Sequence, residues 1–90
     1  MRAARIDIAL EDGDDGWVAT VSVNDTTATI HRVRISRAEH ERYGGGEVTA
    51  LVRRSFEFLL AREPNTSILR EFSLADIERY FPEFAKTIRS

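Results

Sequence analysis

Cysteine is absent from the 90-residue chain, which excludes disulfide bonds, thiolate nucleophiles and cysteine-ligated zinc. Lysine occurs once against twelve arginines, a bias typical of GC-rich bacterial genomes, so we expect a bacterial origin. No apolar run is long enough for a signal peptide or a membrane-spanning helix. We therefore expect a cytoplasmic protein that makes no contact with a membrane.

An excess of positive charge is also missing. The chain carries 13 Lys and Arg against 15 Asp and Glu, for a net charge of −2. Without a global positive field, the composition argues against nucleic acid as a partner. A local basic face is still compatible with these numbers, and it is considered below.

The first part of the chain alternates between apolar and polar residues, which is the pattern of half-buried β-strands. ARIDIALE forms one such run, and WVATVSVN forms a second run after the turn residues EDGDDG. Antiparallel pairing of the two brings their apolar residues to one face and their polar residues to the other. The register that we expect is Leu10 with Trp17, Ile8 with Ala19, and Ile6 with Val21.

A third strand is predicted in TATIHRVRI, after the turn signal NDT. Its first apolar residues occupy even positions and its last ones odd positions, so they cannot share a face on a regular strand. Either a bulge near His31–Arg32 restores the alternation, or His31 points inward, opposite Ala19. The sequence leaves both alternatives open.

Capping and breaking residues predict the helices that follow. Ser36 begins an S-x-x-E capping box, which predicts a short helix over about 37–43 that the triple glycine at 44–46 ends. A long helix with a wide apolar face is expected over about 47–62, before Pro64. A second box, S-x-x-D, begins at Ser73 and predicts C-terminal helices over about 74–89 that bend at Phe81–Pro82.

These patterns predict a single α+β domain over residues 1–90. Its centre is a three-stranded antiparallel β-meander over about 3–35, and one face of the meander is covered by the long helix and the short C-terminal helices. The two outer strands are edges, and the third strand is rich in β-branched residues. Homodimerisation through an edge strand is therefore a hypothesis that the sequence supports.

The C-terminal half, FEFLLAREPNTSILREFSLADIERYFPEF, carries a longer motif. It resembles a group of small bacterial hypothetical proteins that share a tail of the form FLLxREPxxSILxxFxLxxIxxYFPE. No activity is assigned to that group, so the resemblance implies kinship without a mechanism. The opening IDIALEDGDDGWVATVSV is also similar to the first hairpin of HicB-type antitoxins. The chain departs from those proteins where their second hairpin carries a stretch rich in proline and glycine.

No set of residues in the sequence indicates an enzyme, a metal site or a cofactor. Ser55 lies on the apolar face of the long helix without an identifiable base. The triple glycine lacks the lysine of a phosphate-binding loop. Counted from Asp12, the acidic turn has Gly16 and Val23 where an EF-hand needs oxygen ligands. The histidines, His31 and His40, would have to meet from different elements to bind a metal. We therefore expect no catalytic residue, no metal and no cofactor.

Two functional hypotheses follow. The first is a small, non-catalytic interaction or regulatory module whose partner is another protein or a second copy of the chain. The second is a binder of a small anionic ligand or nucleic acid that uses the arginines around the third strand. Those candidate residues are Arg32, Arg34, Arg37 and Arg42.

The stretch ERYFPEF bears on the first hypothesis, because it could dock a partner or close the core. Tyr80 and Phe81 follow Leu74 and Ile77 at helical spacing, and the bend at the proline can return Phe84 to the interior. The spacing therefore favours a role in the core, with Tyr80 as the residue most exposed to solvent.

Overall fold

A four-stranded mixed sheet is the centre of the computed structural model, which describes residues 4–89. The strands lie in the order β1 (Arg5–Gly13), β2 (Gly16–Asn24), β3 (Ala28–Ser36) and β4 (Glu71–Ser73). The first three pair antiparallel as expected, whereas β4 pairs parallel to β3. The α+β class is confirmed, but the three-stranded sheet was an incomplete prediction. With only three residues, β4 is too short to show an alternating pattern.

The predicted register of the first hairpin is wrong by two residues. Gly13 pairs with Gly16, so the connection is the two-residue turn Asp14–Asp15, and Leu10 faces Ala19 instead of Trp17. Gly16 has a φ of 146°, in a region of backbone conformation that favours glycine. A shift of two leaves every side chain on its predicted face, because the side-chain period of a strand is two.

The third strand is regular and has no bulge near His31–Arg32. β2 and β3 pair without interruption from Asn24 with Ala28 to Gly16 with Ser36. The alternative is therefore correct, and His31 points inward with only 1% of its surface exposed. Its partner across the ladder is Val21 and not Ala19, because the connection is residues 25–27, one residue later than the predicted turn NDT at 24–26.

Four helices lie among residues 4–89. They are α1 (Arg37–Arg42), α2 (Val48–Leu60), α3 (Leu74–Tyr80) and α4 (Phe84–Arg89), and a single 3-10 turn spans Asn65–Ser67. Both predicted capping boxes are present, at the starts of α1 and α3. All three glycines after α1 have positive φ, which explains why glycine occupies that bend.

The core lies between one face of the sheet and the helices. The inward side chains of β2 and β3 are buried, and Tyr43, Phe56 and Phe84 are the largest side chains that are fully buried. The opposite face of the sheet is open to solvent, as is common for antiparallel sheets. β4 covers the edge of β3 at Arg32–Arg34, so the prediction that the third strand is a free edge is wrong over that stretch.

Candidate binding groove and the polar network behind it

A groove of about 290 Å³ opens between the end of α2, the segment that leads into β4, and α3. We call it the Tyr80 groove. Its volume is at the lower end of the roughly 300–1,000 Å³ typical of small-molecule sites. It therefore suits one or two large side chains better than a cofactor. Its floor is formed by apolar side chains that are buried, namely Leu59, Ile68, Phe72 and Ile77.

The rim of the Tyr80 groove exposes unusual apolar surface. Tyr80 is 69% exposed and Leu69 is 49% exposed, while Phe81 is half-buried between them and the core. Within the described part of the chain, only two other large apolar side chains are comparably exposed, Leu10 and Ile30 on the sheet. Single exposed apolar residues are ordinary, but two at the mouth of one apolar groove are typical of a binding site.

Two carboxylates also line the groove. Asp76 is already engaged, because it accepts a 3.0 Å hydrogen bond from the Ser73 backbone and pairs with Arg79 at 3.5 Å. The backbone hydrogen bond from Ser73 lowers the pKa of Asp76. Glu63 is half-buried, and its side chain makes no hydrogen bond or ion pair with any other residue in the range 4–89. A cationic group of a ligand could therefore form an ion pair with Glu63 at the groove.

A chain of buried hydrogen bonds fixes the wall of the groove from behind. His31 Nδ1 lies 2.8 Å from Leu69 O, and because a carbonyl oxygen only accepts, Nδ1 carries the proton. In the neutral ring, Nε2 then accepts from the Thr29 hydroxyl at 2.9 Å. Asn65 Nδ2 in turn donates to Thr29 Oγ1 at 2.9 Å and to Thr27 O at 2.7 Å.

This network gives His31 a positioning role. It holds the carbonyl of Leu69, one of the exposed rim residues, against the interior of β3. The sequence did not indicate this contact, because Leu69 is 38 positions away in the chain. The sequence indicated only that a partner must exist, because a histidine among inward-facing β-branched residues needs a polar group to bond.

The four candidate arginines do not form one surface. Arg32 and Arg34 are exposed on the open face of the sheet, and Arg37 lies with its guanidinium carbon 5.1 Å from the centre of the Trp17 ring. Arg42 donates from Nη2 to Glu78 Oε1 at 2.9 Å, so its charge is already paired. The structure therefore leaves Arg32 and Arg34 as the adjacent pair that is free for an anion.

Glu78 also accepts a 2.7 Å hydrogen bond from the hydroxyl of Tyr43. Burial, followed by this hydrogen bond, raises the pKa of Tyr43 to about 12. The hydrogen bonds from Tyr43 and Arg42 hold the pKa of Glu78 below its ordinary value. Through Glu78 this cluster links the end of α1 to α3, and its phenol, Tyr43, is fully buried.

His40 has partners of its own, remote from the network around His31. Its Nε2 donates to Gly46 O at 2.7 Å, and its ring packs edge-on against Trp17 at 5.1 Å between centroids. In the range 4–89, no group of three or more His, Asp or Glu side chains could hold a metal ion. No helix in that range is long and apolar enough to cross a membrane.

Comparison with known proteins assigns neither a family nor a function to the chain. No protein-family model matches the chain, and no curated protein or solved structure matches it. The resemblance of the C-terminal tail to small bacterial hypothetical proteins therefore stays a prediction.

Proposed function

We propose that the protein is a non-catalytic interaction module that binds a segment of a partner protein in the Tyr80 groove. The observation that carries the proposal is the exposure of Tyr80 and Leu69 around an apolar groove that also contains an unpaired carboxylate, Glu63. Regulation of that partner is the role that such binding would serve.

The geometry specifies the chemistry of the segment. The groove volume of about 290 Å³ has room for one large apolar anchor, which would cover the exposed faces of Tyr80 and Leu69. Glu63 favours a basic residue next to that anchor, because a half-buried carboxylate gains most from a cation that shares its partly desolvated site. We therefore expect a segment in which Leu, Phe or Trp is adjacent to Lys or Arg.

A panel of short synthetic peptides tests the proposal. The peptides vary the apolar anchor and the neighbouring basic residue independently, and binding to the isotope-labelled protein is followed by NMR. We expect peptides with both features to shift the backbone signals of Glu63, Leu69 and Tyr80. Tyr80→Ala and Glu63→Gln should each weaken binding, the second only for peptides that carry the basic residue.

Ile30→Ala is the matched control, because Ile30 is 64% exposed but lies on the open face of the sheet. It should leave the affinity unchanged. The proposal fails if no peptide of either class binds, or if binding responds to Ile30 and not to Tyr80.

We keep anion binding by Arg32 and Arg34 as a second candidate. It is favoured by the exposure of both side chains, neither of which makes a hydrogen bond or ion pair with another residue in the range 4–89. Glu71, which pairs with Arg32 across the ladder, weakens the local positive field. Titration with a single-stranded oligonucleotide at several salt concentrations tests this candidate, and loss of binding in Arg34→Ser would support it.

A further inference from the structure

β1 ends the sheet as a long strand whose outer edge is open. It has nine residues, and within the described range 4–89 its backbone pairs with β2 on one side only. Most of its side chains are exposed, including Arg5, Asp7 and the stretch 9–13. Such an edge presents a row of N–H and C=O groups that can pair with another strand. The opposite edge of the sheet is partly covered by β4.

One contact identifies which backbone groups face outward. Arg53 Nη1 donates to Ile6 O at 2.9 Å, so this carbonyl points away from β2. Because hydrogen-bonding direction alternates along an antiparallel strand, the backbone groups of Ile8 and Leu10 point the same way. The edge therefore offers three consecutive outward-facing residues, namely Ile6, Ile8 and Leu10.

We propose that two copies of the chain form a homodimer through antiparallel pairing of β1 with β1, with Ile8 on the two-fold axis. In this register Arg5 of each copy faces Glu11 of the other, which gives two opposite-charge pairs by symmetry. Ile6 faces Leu10, and Asp7 faces Ala9. The two four-stranded sheets become one continuous eight-stranded sheet.

Neighbouring registers lose this charge match. A pairing centred on Ala9 sets Asp7 against Glu11, and one centred on Asp7 sets that carboxylate against itself. A register with an odd offset would bring the apolar face of one strand beside the polar face of the other. Arg5 and Asp7 form an exposed 3.2 Å ion pair within one chain, which contributes little and can be shared with Glu11 of the second copy.

Pairing of the two β1 strands would also bury apolar surface that is exposed in one copy. Leu10 is 36% exposed and Ile8 is half-buried against the core, and the inward residues of a second β1 would cover both. Within residues 4–89, Arg53 competes with this pairing, since Ile6 O would also accept from Leu10 of the second copy. Arg53→Ala is therefore expected to strengthen the dimer.

Sedimentation equilibrium over a range of concentrations tests the dimer in the full chain. We expect Glu11→Arg and Arg5→Glu each to raise the dissociation constant about tenfold, and the double variant to restore it, because it exchanges the charges of both pairs. Glu71→Arg is the matched control, because this residue is exposed on β4, at the opposite edge of the sheet. A protein that is monomeric at every soluble concentration would overturn the proposal, as would a double variant no tighter than the singles.

Disulfide cross-linking locates the interface, since the natural chain contains no cysteine. Ile8→Cys places two thiols opposite each other on the proposed axis, where Cα atoms of paired residues lie about 5.5 Å apart, within disulfide range. Thr20→Cys lies on the open face of β2 and would cross-link only if the two sheets stacked face to face. Rapid oxidation of Ile8→Cys but not of Thr20→Cys supports edge pairing, and the reverse result refutes it.

Discussion

Replacement of Phe84 by alanine is expected to destabilise the protein more than any other single change in the stretch ERYFPEF. The Phe84 side chain has no exposed surface, and its ring centre lies 5.0 Å from that of Tyr43 and 5.1 Å from that of Phe58. Phe81 is half-buried and reaches only Phe58, at 5.9 Å. Tyr80 is 69% exposed. The three aromatic residues thus span the full range from core to surface.

Their burial sets the expected costs. A fully buried Phe→Ala change costs about 3–5 kcal/mol, because it loses transfer free energy and leaves a cavity. That is a large share of the roughly 5–15 kcal/mol by which a domain is stable. We expect about half that loss for Phe81→Ala, and less than about 0.5 kcal/mol for Tyr80→Ala, which removes an exposed side chain.

Urea denaturation followed by circular dichroism measures all three variants on one scale. With an m-value of about 2 kcal/mol per M, a loss of about 4 kcal/mol lowers the midpoint of Phe84→Ala by about 2 M. Tyr80→Ala serves as the control for the loss of an aromatic ring from the same segment. If Tyr80→Ala lowered the midpoint as much as Phe84→Ala, the assignment of these residues to core and groove would be wrong.

Three further predictions concern the buried polar groups and the hairpin. The pKa of Tyr43 is raised from 10.0 to about 12, so the unfolded chain ionises first: stability should fall as pH rises through that interval, and Tyr43→Phe should abolish this fall in urea titrations. Gly16→Ala should lower the melting temperature markedly, because a Cβ would overlap Ile35 O, and a wild-type melting curve would contradict this. Thr29→Val should cost about 1–3 kcal/mol, because His31 Nε2 loses its partner and Asn65 Nδ2 keeps only its backbone acceptors, and an unchanged hydrogen-exchange rate at 65–70 would exclude the network.

The elements set by local chemistry could be predicted from the sequence. Both capping boxes and the bend at Phe81–Pro82 depend on residues that are close in the chain. The register of the first hairpin could not be predicted, because EDGDDG is compatible both with a two-residue turn and with a longer loop that also has an even number of residues. Both loops put the same side chains on the same face. β4 was missed for a different reason. Its partner strand precedes it by nearly 40 residues, and only tertiary packing orders three residues as a strand.

The candidate site was less predictable than the fold. Proximity along the chain grouped Arg42 with Arg32 and Arg34, but the strand and α1 direct these side chains to different surfaces, and the distant Glu78 neutralises Arg42. The Tyr80 groove has no motif of its own. Its rim joins Leu69, from an irregular segment, to Tyr80, from the end of α3, and this proximity exists only in the folded chain.

The sheet holds the backbone of the groove wall at residues 69 and 70. The Arg32 N–H donates to Arg70 O at 2.6 Å, and His31 binds the neighbouring Leu69 O from the same strand. Two adjacent residues of β3 thus hold two adjacent carbonyls of the wall. Arg32 binds the Arg70 carbonyl through its backbone N–H, and His31 binds the Leu69 carbonyl through its buried side chain. The side chains of Leu69 and Tyr80 take no part in these bonds. A different side chain at position 69 would therefore change the apolar surface of the rim while the backbone at 69–70 stays fixed.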